Sequence, residues 1–323
     1  MKMRLALGML AVGCAAGSVA AAENWPTKPV RFICPYVAGG AADIFSRTIG
    51  QKLGEAFGQT VIVDNRAGAN GGIGTELAAR AQPDGYTILL GQSGPLTTNP
   101  VLYKKVAYDP VKDFIPVTQG TLYMYVLVVP ASNPVANIKD MIAWVKAKPG
   151  VLTYGSTGIG GGNHLAGELF NLMTQTKSIH VPYKGSALAL ADLLGGQLSY
   201  MFDTTITSVP QLKAGKLRAI GVSALKRSSS LPEVQTMDEL GLKGFEITQW
   251  QAVMLPAGTP QPVVERLHRE VTRALKMPDV IERLATQGGN ELVGNTPEEF
   301  ARVIKNDLAK YAKLVKEAGI KIE

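Results

Sequence analysis

Cysteine is almost absent, at two among 323 residues. Cys14 lies in a leader-like N-terminus, so a chain cut after residue 22 keeps only Cys34 and can form no internal disulfide. Cys34 sits in the apolar run Val30–Cys34 and reads as core. Aromatic residues make up 7% of the chain and do not alternate with basic ones, which argues against a nucleic-acid surface. Only three histidines occur. His164 and Glu168 stand four apart, half of a metal site, but a third ligand would have to be His180 or His268, with no spacing signature. No cofactor and no metal is expected. Beyond the leader, no apolar stretch approaches the roughly 20 residues of a membrane-spanning helix.

The leader itself is well formed. Lys2 and Arg4 give a positive start, Leu5 to Ala16 an apolar middle, and Ala20-Ala21-Ala22 a cleavage site, so residues 1–22 read as a signal peptide. A lipoprotein signal ending at Cys14 is the alternative, but Ala11-Val12-Gly13 lacks the usual leucine three places back. Either way the protein is exported, with a periplasmic location expected. Without Lys2 and Arg4 the net charge falls from +7 to +5. The densest basic clusters, Lys226-Arg227 and Lys310, Lys313 and Lys316, read as solvated faces. A mild positive field favours small anions entering a cleft.

Glycine is what the chain has instead. Five glycines fall among the eight residues Gly155 to Gly162, between a strand-like run and an apolar-periodic helix. Glycine lets backbone come close to a bound group, and the helix start behind it offers unpaired N–H groups and the positive end of a dipole. Together these make an anion site. The first half carries counterparts, Pro35 to Asp43 and Arg66 to Gly74, and the second half a further loop, Tyr183 to Ser186. Around them strands and helices alternate: strands near Val30–Cys34, Thr60–Val63, Thr87–Leu90, Tyr125–Val129 and Leu198–Phe202, and helices over Asp43–Leu53, Gly74–Ala81, from Asn137, and Ala187–Leu194. Such alternation points to parallel α/β sheets, whose loops bind ligands at the carboxyl ends of strands. Two similar units facing each other make a clamshell with a hinge.

The tail differs. Thr259-Pro260 opens an amphipathic helix that ends at Met277-Pro278. Thr296-Pro297-Glu298-Glu299 forms a capping box with proline at the first helical position, and Gly319 marks the end of the long helix behind it. Packed back on the first unit, these helices make a discontinuous domain of 23–124 and 249–323, with 125–248 as the second. The chain would cross near Thr121–Val126 and Thr248–Val253.

Enzyme motifs fail one by one. Counted from Gly158 or Gly160, the third glycine of a dinucleotide fingerprint falls on Asn163 or Leu165. No lysine follows a glycine loop as in a Walker site. The nucleophile-elbow pattern misses at Gly91-Gln92-Ser93-Gly94-Pro95 and again at Tyr154-Gly155-Ser156-Thr157-Gly158. No catalytic residue is assigned. An exported α/β hydrolase using Ser93 or Ser156 with His164 stands as the rival reading.

One ordered set of motifs carries a resemblance. Pro35 to Asp43, Asp64-Asn65-Arg66-Ala67-Gly68, Gly155 to Gly160 with His164 to Glu168, and Tyr183-Lys184-Gly185 belong to it. Asp192 to Gly196, Met201-Phe202-Asp203 and Leu255 to Pro260 complete it. From about Trp25 to the C-terminus the chain resembles the Bug family, extracytoplasmic receptors of tripartite tricarboxylate transporters. The resemblance implies a type II-like periplasmic-binding-protein fold, a small carboxylate ligand, and delivery to a permease of a large and a small membrane subunit. Service as the ligand-loaded partner of a sensor kinase is a further alternative.

By position, the resemblance places ligand contacts at Tyr36, Gly39, Gly40, Ala41, Ala42 and Asp43, then Gln92 and Ser93. On the other side it places them at Ser156, Thr157, Gly158, Gly160, Gly161 and His164, with Lys184, Gly185 and Asp203. Asp43 in a first helical turn also suits dipole compensation, Lys184 also suits a cleft rim, and His164 also suits a structural role. Asp203 has three readings: an amine partner, a water site, or a cap of its own loop. Val37, Gly161 and Leu188 depart from the pattern, where relatives carry proline, a hydroxyl residue and proline. The bare Gly161 leaves its N–H as the expected donor and predicts room for a larger acid. Four or five charge-assisted bonds of about 1.5–3 kcal/mol each suffice for roughly −8 kcal/mol of binding after desolvation and closure costs. Mono- and dicarboxylates, aromatic acids and amino acids all fit that chemistry.

Overall fold

The computed structural model describes residues 25–317. The leader 1–22 with Cys14, and the helix stop at Gly319, lie outside them. Strands β1 (Val30–Cys34), β2 (Val61–Asn65) and β3 (Thr87–Gln92) run parallel in the order β2–β1–β3, connected through α1 (Ala41–Phe57) and α2 (Gly72–Ala79). A π-helical turn (Gly94–Thr98) and the short α3 (Asn99–Leu102) follow.

Strand β4 (Phe114–Pro130) is 17 residues long and belongs to two sheets. Its first part pairs antiparallel with β9 (Thr248–Pro256), which also borders β3. From Tyr125 onward it pairs with β7 (Tyr200–Thr204) and β8 (Leu217–Val222). In the second sheet β5 (Thr153–Ser156) lies parallel between β7 and β6 (Ile179–Pro182). Helices α4 (Ile138–Ala147), α5 (Gly162–Thr174), α6 (Ser186–Leu194) and α7 (Thr205–Lys213) belong to this half. Both sheets therefore have a parallel set, as alternation predicts, with β9 running against it in the first sheet and β4 in the second.

Strand alternation sorts the core. Val30, Phe32 and Cys34 face one side with Phe45, Ile49 and Leu53 of α1, while Ile33 faces the other with Trp250. The tail covers both sides of this sheet. Helix α8 (Gln261–Ala274) puts Val263, Val264, Leu267 and Val271 on the α1 side, and α9 (Pro297–Glu317) puts Phe300 and Ile304 on the other. The capping box forms as read: the Thr296 N–H donates to Glu299 at 3.0 Å and the Glu299 N–H to Thr296 at 3.2 Å. In the second half Tyr154, Phe170 and Phe202 fill one side, and Val126, Leu193 and Met201 the other.

Two elements are longer or more regular than their sequences suggest. The strand expected at Tyr125–Val129 is only the end of β4, because buried Thr118, Gln119 and Thr121 interrupt its apolar pattern. Helix α7 carries three Thr or Ser residues and Pro210, a poor helical composition. It forms because buried Asp203 accepts from Thr207 Oγ1 and Ser208 Oγ, both at 2.7 Å, and fixes its first turn.

Phe45 is fully buried between α1 and the first sheet. Phe45→Ala is expected to cost about 3–5 kcal/mol in urea unfolding. A loss under roughly 1 kcal/mol would show that this side chain does not anchor the helix.

Candidate ligand-binding site

Four helices begin around one cleft. Gly40 is the N-cap of α1, Gly161 of α5 and Thr204 of α7, and Ser186 is the first residue of α6. All four line a single cavity, with Ala41, Ala42, Thr157 and Gly162 beside them. Each helix start presents N–H groups that have no carbonyl in the preceding turn. Tyr36 and Gln92 complete the wall on the first sheet's side, and Tyr123, Tyr125 and Gln249 form it where β4 and β9 cross between the sheets. Burial raises the pKa of all three tyrosines, that of Tyr123 to about 12, so their hydroxyls stay protonated donors. The lining contains no Lys, Arg, Asp or Glu. Its chemistry is that of an anion site built from dipoles and neutral donors.

The loops are held by their own side chains. Asp43 accepts from the Gly39 N–H (3.0 Å), Arg47 Nε (2.9 Å) and Asn65 Nδ2 (3.0 Å). Burial pushes its pKa up, but the bonds from Arg47, Gly39 and Asn65 outweigh that and hold it below the usual range. On the facing loop Asn163 Oδ1 accepts from the Thr157 N–H, and His164 Nδ1 from the Gly160 N–H, both at 3.1 Å. Ser156 Oγ bridges the Gly158 backbone and His180 Nε2. The His164 and His180 rings lie 4.0 Å apart.

Residues 45–320 match the receptor of the tripartite tricarboxylate transporter family. The chain belongs to that family. BugT of Bordetella pertussis is 34% identical across 100% of both chains. The solved periplasmic binding protein BugD is 37% identical with a TM-score of 0.89, over 93% of this chain and 100% of that one. A Rhodopseudomonas palustris protein solved with adipate, Rpa4515, is 35% identical with a TM-score of 0.89, over 92% of this chain and 99% of its own. The protein is thus a periplasmic solute-binding receptor with the clamshell fold, and it is not an enzyme. Family membership implies a small carboxylate ligand and a cognate membrane permease.

Of the residues read from sequence, Tyr36, Gly40, Ala41, Ala42, Gln92, Thr157 and Gly161 meet at the receptor's cleft. Others support it from outside the lining. Asp43 and Gly39 clamp the first loop, and Ser156, Gly160 and His164 brace the second. Ser93 is consumed by β9, accepting the Trp250 N–H at 2.8 Å. Gly185 lets Val37 approach, since a Cβ there would stand 2.5 Å from Val37 Cγ2. Lys184 is exposed and makes no ion pair among the described residues. Asp203 holds the Thr207 and Ser208 hydroxyls of the first turn of α7 from inside the second sheet, and among the described residues its Oδ1 has no hydrogen-bond partner. Ser156 bonds His180 and not His164, so the pairing the hydrolase reading needs is not formed.

Two expectations about Gly161 are corrected. Its N–H is not a free donor but bonds the Gly158 carbonyl at 3.0 Å. Its bareness does not widen the cleft either. A Cβ would meet Thr157 Oγ1 at 2.6 Å, Asn163 Oδ1 at 3.0 Å and Asn70 Oδ1 at 3.1 Å, so the space is taken by its own loop and by the Asn70 loop. Of the lining residues missed, Val37, Gly162, Ser186 and Thr204 adjoin the loops read from sequence, and Tyr123, Tyr125 and Gln249 fall at the crossings. The signal of the last three was polar and phenolic side chains within otherwise apolar strands.

Gly161→Thr should therefore weaken every bound carboxylate by a similar factor in calorimetry, through crowding of the loops. A selective shift toward smaller acids would restore the roomier-site reading. Stability carries a second test. Burial lowers the pKa of His164 to about 4 and, helped by the charge of His164, that of His180 to about 3. The stability these neutral rings contribute is complete above about pH 6.5 and is lost as pH falls. Asp203 acts oppositely: burial raises its pKa to about 6, so its contribution is complete below the ordinary aspartate pKa and lost as pH rises. The two histidines outweigh the one aspartate. Between pH 6.5 and 4 the melting temperature should fall, more steeply in Asp203→Asn and less steeply in His164→Gln.

Proposed function

We propose that the receptor's ligand is an open-chain dicarboxylate, held with one carboxylate toward the start of α1 and the other toward the starts of α5, α6 and α7. The observation that carries this reading is a lining that gathers helix starts from both halves of the chain and contains no charged side chain. Each end of the ligand would be met by neutral donors, with charge-assisted bonds of about 1.5–3 kcal/mol each. The same lining argues against an amino acid. An ammonium enclosed there would have no carboxylate partner, a large cost for a buried charge, and Asp203 lies outside the lining. The adipate bound by the Rhodopseudomonas palustris relative has the chemistry this reading favours.

The sheet registers support a first lobe of 23–124 with 249–323 and a second of 125–248, hinged where β4 passes from β9 to β7. The lobes would close on the ligand and present it to a permease of large and small membrane subunits.

Isothermal calorimetry tests the ligand class. Adipate and succinate are expected to bind with micromolar dissociation constants, about −8 kcal/mol, and glutamate at least roughly 100-fold more weakly. Tight glutamate binding with inert dicarboxylates would sink the proposal. Gln92→Ala should weaken adipate by roughly 1 kcal/mol, the scale of one hydrogen bond.

A further inference from the structure

We infer that Asn70 and Tyr103 form a latch between the two lobes, outside the ligand cavity, that scales the receptor's affinity for all its ligands together. The inference rests on the two-lobed reading above and not on which acid is bound. Tyr103, just past α3, donates its hydroxyl to the Ile159 carbonyl at 3.1 Å, joining the first half of the chain to the loop before α5. Beside it, four successive residues have positive φ: Gly68 (132°), Ala69 (49°), Asn70 (47°) and Gly71 (80°). Such conformations are costly for residues other than glycine, asparagine and aspartate. The run pushes Asn70 out of its own loop against the facing one.

The facing loop is bare where Asn70 and α3 arrive. A Cβ on Gly158 would lie 3.2 Å from the Asn70 Cα and N, and one on Gly160 would lie 2.8 Å from Leu102 Cδ1. Asn70 is 3% exposed, and its amide is fixed by Asn99 at 2.9 Å and by the Tyr36 hydroxyl at 3.3 Å. Neither Asn70, Leu102 nor Tyr103 lines the cavity. Their contacts therefore stabilise closure without touching ligand. A receptor that is competent only when closed has its apparent affinity multiplied by the closed fraction, so this patch acts on every ligand by one factor. It also accounts for glycine at positions 158 and 160, where any side chain would hold the loops apart.

Tyr103→Phe removes the hydroxyl and keeps the ring. Two measurements on the full receptor decide the matter: the distance between spin labels on the two lobes without added ligand, and calorimetric affinities for adipate and succinate. The expected result is a smaller closed fraction, with both acids weakened by the same factor, about two- to tenfold for one lost hydrogen bond. Asn70→Gly, which keeps the positive φ and deletes the amide, should move both readouts the same way. An unchanged closed fraction, or a changed ratio between the two acids, overturns the latch. Should wild type bind neither acid, the dicarboxylate proposal fails, and the label distances alone still decide the latch.

Discussion

Helix starts that converge on one cleft are the constraint from which the rest of this receptor follows. In both halves the parallel strands deliver the chain to the same edge of the sheet, and each following helix begins there with N–H groups lacking partners. Facing the two sheets edge to edge brings the starts of α1, α5, α6 and α7 together. Left unanswered, those donors would be a cost. An anion answers several of them at once, and the aligned dipoles add to the attraction. Mobile cationic side chains would add charge but also conformational entropy to be lost on binding, and the lining has none.

A cleft made of backbone needs backbone to come close, and that explains the glycines better than flexibility does. Gly185 admits Val37, Gly162 admits Gln249, and the 158–161 loop admits Asn70 and Leu102. These are contacts across the cleft, so closure itself depends on missing side chains. The polar side chains in the loops mostly serve the loops. Asp43, Asn163 and His164 spend their hydrogen-bonding capacity on neighbouring N–H groups, and so preorganise the surface that a ligand meets. Titratable groups are correspondingly sunk into the supports, where burial keeps the histidines neutral and Asp203 protonated to a higher pH than usual.

The crossing between the two sheets is economical. Where β4 leaves β9 for β7, the same stretch supplies Tyr123 and Tyr125 to the cleft. The crossing between the sheets and the cleft lining thus share residues.

Periodicity and loop chemistry in the sequence by themselves determined the α/β alternation, the paired Gly-rich loops, the capping box at Thr296 and the absence of enzyme motifs. These are local properties, set by spacing of a few residues. The motifs in order also identified the family, and with it Tyr36, Gln92 and Thr157 as cleft residues. Only the tertiary structure decided the remainder. It carried β4 through polar Thr118 and Gln119, made a helix of α7, and set Asp203, Ser93 and His164 outside the cavity lining. It also filled the space at Gly161 with Thr157 and Asn163 of the same loop and with Asn70, from a loop 91 positions earlier in the chain. What a side chain touches across a cleft depends on how two lobes meet, and no spacing along one chain encodes that meeting.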